Sequence, residues 1–244
     1  MNNADIEILD ENFIGGGGNW KVYTHNHNKE FIIKKRDGSG SFREDENFKN
    51  YATIKQIGLP TLSFFAVEYL KKYDKFVLVG ENLNSGPDII YVSPNSIRPL
   101  PEYQREYLDE NLEAVFQQMV EKERKSRIDS MPVAERYRYE NKLTQIVDFE
   151  MFCNSAIEDL KLASHRKVYI SYDCYFIGSK KNSSLSDLTY KLADFDDIEE
   201  CYDLSYQKIF DTNKDEFKRT MTSFLQYFVC EMSIDNYLDY LGEL

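Results

Sequence analysis

Three clusters of residues in this chain have the types and spacing to do chemistry on phosphate. The first is Gly15-Gly16-Gly17-Gly18, followed by Asn19-Trp20-Lys21-Val22. Glycines between two strands let backbone N–H groups approach an anion, because no Cβ stands in the way. A flexible hairpin would use the same residues. The second is Phe31-Ile32-Ile33-Lys34-Lys35, where strand alternation turns only one of the two lysines inward. Such a lysine could neutralise phosphate oxygens, and a carboxylate on the next helix could hold it in place. Glu44 and Glu46 are both available, and Glu46 lies closer to the apolar stripe. A solvated surface is the commoner fate of any single such charge. The third cluster is Asp194-Phe195-Asp196-Asp197, where a strand runs into an acidic turn. Carboxylates at a strand end can hold Mg²⁺, a hard cation that prefers oxygen ligands, and Asp194 is the leading candidate. Asp173 is the one acidic residue in the apolar run Val168 to Ile177, where an unpaired carboxylate is costly. It needs a partner, a metal or a reaction; a turn-capping aspartate fits almost as well.

These residues need elements to position them. Hydrophobic periodicity and turn residues predict strands over Ile6–Ile14, Lys21–Thr24 and Glu30–Lys35, then one helix from Phe42 to Ile57 stopped by Gly58 and Pro60. Strands over Leu62–Tyr69 and Lys75–Val79 complete a small antiparallel sheet. The polar segment Glu81–Pro87 marks a boundary, dividing a β-rich part, residues 1–84, from a mainly helical part, residues 85–244. The latter is expected to hold helices over Tyr103–Lys125 and Pro132–Leu162, strands over Lys167–Ile177 and Thr189–Phe195, and a last helix over Lys214–Leu241. The fold class is therefore α+β.

Composition excludes several functions. Forty-two acidic against thirty basic side chains give a formal charge of −12 in 244 residues, a field that repels nucleic acid and anionic membranes. No apolar run approaches the roughly 20 residues needed to cross a bilayer. The start MNNADIEILDENF lacks a secretory pattern, so the expected compartment is the cytosol, either of the cell that makes the protein or of a host that receives it. The four cysteines form no CxxC pair and there are only three histidines, so buried reduced thiols are expected rather than zinc.

Taken in order, these pieces resemble the protein kinase-like superfamily. Gly15-x-Gly17 with Val22 looks like the nucleotide-covering GxGxxGxV loop, with Trp20 where the third glycine normally stands. Phe31 to Lys34 looks like the strand that ends in the phosphate-contacting lysine, and Glu46 like its helix partner. Phe76 to Asn84 resembles the strand and hinge that hold adenine, with backbone groups of Glu81 to Leu83. Leu192-Ala193-Asp194-Phe195-Asp196 is similar to the DFG element, with Asp196 in place of the glycine. The resemblance implies a two-lobed kinase-like fold, with a small antiparallel sheet and one helix in the N-lobe and an abbreviated helical C-lobe. It also implies ATP and Mg²⁺ as cofactors. The cofactor-binding set is Gly15, Gly16, Gly17, Gly18, Val22, Lys34, Glu46, Glu81 and Leu83, with Asp194 and Asp173 for metal.

The catalytic loop departs most from the family. His165-Arg166-Lys167 imitates the start of HRD but puts lysine at the aspartate, and Gly178 stands where an asparagine five residues after Asp173 is expected. Two alignments stay open. In one, Asp173 is the catalytic aspartate that orients or deprotonates an acceptor hydroxyl. In the other, it replaces the metal-binding asparagine and the catalytic aspartate is missing. Lys214 to Met232 is read as the buried helix beneath this loop, anchored by Asp215. The leading expectation is an atypical kinase acting on a protein hydroxyl, with a small-molecule acceptor as a variant. The alternatives are a pseudokinase that regulates by binding, and an acidic interaction protein with no nucleotide site.

Overall fold

A computed structural model describes residues 6–16, 20–36, 44–94, 125–126 and 128–244. The expected helix over Tyr103–Lys125 falls almost wholly outside the described residues, as do Gly17, Gly18 and Phe42. The described residues form a mixed α+β fold.

Five strands make the first sheet: β1 (Phe13–Gly16), β2 (Trp20–Thr24), β3 (Phe31–Arg36), β4 (Phe65–Leu70) and β5 (Lys75–Glu81). Their order is β1-β2-β3-β5-β4, and all pairings are antiparallel. β1 is much shorter than the strand expected over Ile6–Ile14. Ile6 to Leu9 is irregular, and a 3-10 turn covers Asp10–Asn12. Ile6 instead covers one face of the sheet, packing with Tyr23, Ile33, Leu70, Val77 and Val79. The opposite face, with Trp20, Phe65 and Leu78, belongs to the main core.

α1 (Glu44–Ile57) packs on that second face. It ends at Gly58, whose φ of 90° is left-handed, while the Leu59 N–H bonds the Ile54 carbonyl at 3.3 Å. Glycine closes the helix this way without a Cβ penalty. The chain then leaves the first sheet after Glu81 and enters a second at β6 (Ile89–Val92), which joins β7 (Gln145–Val147), β9 (Tyr175–Lys180) and β10 (Leu185–Leu192) in the order β6-β9-β10-β7. β8 (Val168–Ile170) pairs with β11 (Ile198–Glu200).

The helix expected over Pro132–Leu162 is two helices, α2 (Val133–Glu140) and α3 (Phe149–His165). Residues between them are used elsewhere. Gln145–Val147 pairs with β10, and the Leu143 N–H bonds the Phe228 carbonyl at 2.8 Å. The last helix is likewise two, α4 (Tyr206–Phe228) and α5 (Ile234–Glu243). Val229 is extended and bridges Leu143, so tertiary pairing interrupts a continuous helical pattern. Ser205 caps α4 by accepting from the Lys208 N–H. Cys153 and Cys174 are buried thiols, but Cys201 and Cys230 are partly exposed, a correction to the expectation for all four. Burial pushes the Cys153 thiol up to about 12. No described helix is long and apolar enough to cross a membrane.

Candidate functional site

One row of residues crosses the first sheet at right angles to its strands. Gly15 pairs with Val22, Val22 with Lys34, and Lys34 with Leu78. Directly paired residues point to the same face of an antiparallel sheet. Leu78 lies in the main core, so Lys34 faces the helical part of the molecule. Its Nζ donates to the carbonyl of Ala193 at 3.3 Å and stands 3.6 Å from Asp194 Oδ1. Lys34 is mostly buried, whereas the Asp194 side chain is 38% exposed, which leaves carboxylate lone pairs facing solvent. Solvent at the exposed carboxylate screens the pair and limits its contribution to the fold to about 1 kcal/mol.

The turn that carries Asp194 is held from both sides. Behind it, the Ala193 N–H bonds the Cys174 carbonyl, and the Leu192 N–H bonds the Pro60 carbonyl at 2.9 Å. In front, Phe195 is fully buried and makes edge contacts with Tyr51 and Phe65. Asn50 of α1 donates to the Phe195 carbonyl at 2.8 Å, and Asn47 donates to Asp196. The indole of Trp20 donates to the other Asp196 oxygen. β2, α1 and the acidic turn therefore form one unit.

Asp173 sits in a 3-10 turn, Tyr172–Cys174, with β8 ending at Ile170 and β9 starting at Tyr175. α4 supports this turn. Asn213 accepts from the Ile170 N–H at 2.8 Å and donates to the Val168 carbonyl at 2.9 Å; Glu216 accepts from the Tyr172 N–H, and Thr220 donates to the Tyr172 carbonyl. Burial, opposed by a bond from Tyr172 and reinforced by the carboxylates of Asp197 and Asp194, holds the Asp173 carboxyl above its ordinary range. Such a carboxyl takes a proton more readily.

No family model matches the sequence, and no curated protein matches it. The functional reading therefore rests on geometry and chemistry.

Among the described residues, no group of three or more His, Cys, Asp or Glu side chains is placed to hold a metal ion. Asp173 and Asp194 do feel one another electrostatically. Mg²⁺ is usually held by one or two carboxylates together with substrate phosphates, and the partly exposed Asp194 carboxylate is a ligand of that chemical type.

The other expected site residues are placed as follows. Gly15 and Gly16 lie inside the β1 ladder. Val22 shares the face of Lys34. The Glu81 carboxylate is bound by Lys191 at 2.8 Å and by the Ser63 N–H, and its own N–H bonds the Phe64 carbonyl. Leu83 is half-buried against the main core. Glu46 needs correction, because it is exposed, while Glu44, Asn47, Asn50, Tyr51 and Ile54 form the buried face of α1. That face is polar at its N-terminal half because it meets the acidic turn, so an apolar stripe was the wrong guide to its phase. Asp215 is also corrected: it is exposed in the middle of α4, and Asn213, Glu216 and Thr220 do the anchoring. His165 closes α3 and stacks on Tyr206 at 4.3 Å, so His165-Arg166-Lys167 ends a helix. Gly178 is crowded, since a Cβ there would lie 2.7 Å from both Thr189 and the Tyr91 ring. The residues missed in the sequence are Asn47, Asn50, Asn213, Glu216 and Thr220. Their one signal is polar side chains at helical spacing within stripes that must face the core. Two open clefts, of about 740 and 360 Å³, lie elsewhere, around Asp148 and Met151.

Proposed function

We propose that this protein has a two-lobed kinase-like architecture and binds Mg²⁺-ATP between the first sheet and the acidic turn, to transfer a phosphoryl group to a hydroxyl, most simply on a protein. The observation that carries the reading is the meeting of Lys34 with Ala193 and Asp194 across 159 positions of chain. A cation two strands from the glycine strand then stands beside a carboxylate just beyond a strand end.

Each residue has a role in this reading. Lys34 neutralises phosphate oxygens and keeps Asp194 oriented through the Ala193 carbonyl. Asp194 would hold the magnesium ion, which when bound supplies positive charge to the phosphates. Asp173 takes the proton of the acceptor hydroxyl, a task its raised proton affinity suits. Asn213, Glu216 and Thr220 hold the Asp173 turn still, which is how a site of this type gains rate through position. In this reading Glu81 to Leu83 and Val22 would border the base. The test is calorimetric binding of ATP with and without Mg²⁺, followed by transfer from γ-labelled ATP. Binding that Lys34→Ala removes supports the site, and no binding in the parent overturns it.

A regulatory pseudokinase is the second reading. Trp20 and Asp196, two residues that replace family glycines, bond to each other at 2.5 Å, a contact that ties the acidic turn down. Binding without transfer would select this reading.

A further inference from the structure

We infer that Arg219 recognises an acidic side chain of the acceptor, so that the hydroxyl presented to Asp173 belongs to an acidic peptide. This rests on the phosphoryl-transfer site proposed above and names its substrate class. The guanidinium of Arg219 lies over the ring of Tyr172, with Cζ 3.6 Å from the ring centroid. Tyr172 immediately precedes Asp173 and is a fixed platform. Glu216 accepts from its N–H at 3.1 Å, and Thr220 donates to its carbonyl at 3.0 Å. Arg219 stands on α4 beside both anchors, so the helix face that steadies the Asp173 turn also delivers a cation to it.

The manner of contact leaves that cation available. Stacking uses the face of a guanidinium, whereas its N–H donors lie in its plane and match the paired oxygens of a carboxylate. Among the described residues, no hydrogen bond and no close ion pair engages the Arg219 guanidinium. Asp215 and Glu216 stand at the two spacings that form helix ion pairs, yet Glu216 turns an oxygen to the Tyr172 N–H and Asp215 is exposed. Arg219 still acts on Asp173, since its charge favours the ionised carboxylate against the influence of Asp194 and Asp197.

The surrounding charges decide what Arg219 can hold. Lys34 reaches in from the first sheet, donates to the Ala193 carbonyl and stands against Asp194; it is the cation assigned to nucleotide. Arg219 comes from α4, is exposed, and has no such bond. An acidic acceptor nearing Asp173 also meets the charges of Asp194 and Asp197, in a chain of formal charge −12. Arg219 supplies the attraction such an acceptor needs at the reacting hydroxyl. A neutral acceptor would leave the fork unused. A basic acceptor, which the overall field attracts, is the competing outcome.

Labelled synthetic peptides test this. Each carries one central serine, threonine or tyrosine flanked by glutamate, glutamine or lysine in an alanine background, and binding is read by fluorescence anisotropy without nucleotide. The parent should bind the glutamate set about tenfold or more tightly than the glutamine set. Arg219→Gln should bring that ratio close to one, and Arg219→Glu should turn the preference towards the lysine set. Both changes are at an exposed position, and circular dichroism checks that the fold is kept. In a transfer assay, Arg219→Gln should lower the ratio of kcat/KM between the two sets in the same proportion, mostly through KM. Equal binding of the glutamate and glutamine sets by the parent overturns the inference. So do a lysine preference, a glutamate preference that Arg219→Gln leaves intact, and a lack of binding to every set. If one of these is found while Mg²⁺-ATP binds the parent and not Lys34→Ala, the nucleotide site stands and only the acceptor class falls. If Arg219-dependent binding of the glutamate set is found in a parent that neither binds Mg²⁺-ATP nor transfers, the recognition stands and the transfer reading falls.

Discussion

The indole N–H of Trp20 and the carboxylate of Asp196 meet at 2.5 Å, joining the first residue of β2 to a turn 176 positions away. Asn47 holds the second oxygen of the same carboxylate, so both oxygens are bound. Trp20 is 8% exposed and packs in the main core, which places a charged acceptor at the edge of apolar surface. A bond to a charged group in such a place contributes more than a neutral one. This bonded pair ties the junction between sheet and turn.

Trp20→Phe keeps an aromatic ring and deletes the donor. The variant should be less stable by about 1–3 kcal/mol, since Asp196 loses one of its two donors. Chemical denaturation of Trp20→Phe, Asp196→Asn and the double variant gives the coupling directly. A coupling of zero would mean that the bond contributes nothing beyond packing.

Lys34→Ala separates function from folding. Its nearest carboxylate, Asp194, is 38% exposed, so removing the ammonium should shift the melting temperature of the ligand-free protein little. The increase in melting temperature on adding Mg²⁺-ATP should disappear, because only ligand bound to the native state produces it. An unchanged increase would move the nucleotide away from Lys34.

Much of the first sheet was legible because its strands carry alternation and its helix has a glycine stop. Lys34 and Asp194 were legible for the same reason, as each sits at a definite place on or beyond a strand. The phase of α1 was not. Its buried face begins with Glu44, Asn47 and Asn50, residues that resemble surface until the carbonyl of Phe195 and the carboxylate of Asp196 are brought against them. The breaks at 141–148 and 229–233 were hidden too. Leu143, Val147 and Val229 suit a helix face as well as a short strand, and only their pairing partners decide between the two.

Asp173 makes stability depend on pH. Its carboxyl titrates above the ordinary value of 3.8, so the native protein keeps this proton to a higher pH than the unfolded chain does. The resulting stabilisation is complete below the unfolded value and is lost as pH rises through the folded one. Asp173→Asn is neutral throughout. It should therefore be more stable than the parent at neutral pH, with an advantage that shrinks as the pH falls. Urea midpoints between about pH 4 and 8 test this, and a difference independent of pH would remove Asp173 as its source.

Asn213→Ala addresses the support of that turn. The side chain is fully buried and bonds the Ile170 N–H, the Val168 carbonyl and Ser164, which ties the end of α3, β8 and α4 together. Alanine would leave a buried N–H and a buried carbonyl without this partner, at a cost of about 2–4 kcal/mol. Exposed Asp215, two positions on, is the control, and Asp215→Ala should change stability by no more than about 0.5 kcal/mol. In a transfer assay below the unfolding temperature, Asn213→Ala should lower kcat more than it raises KM, since it disturbs the Asp173 turn rather than the nucleotide contacts. Equal stability losses in the two variants would show that α4 does not anchor the turn through Asn213.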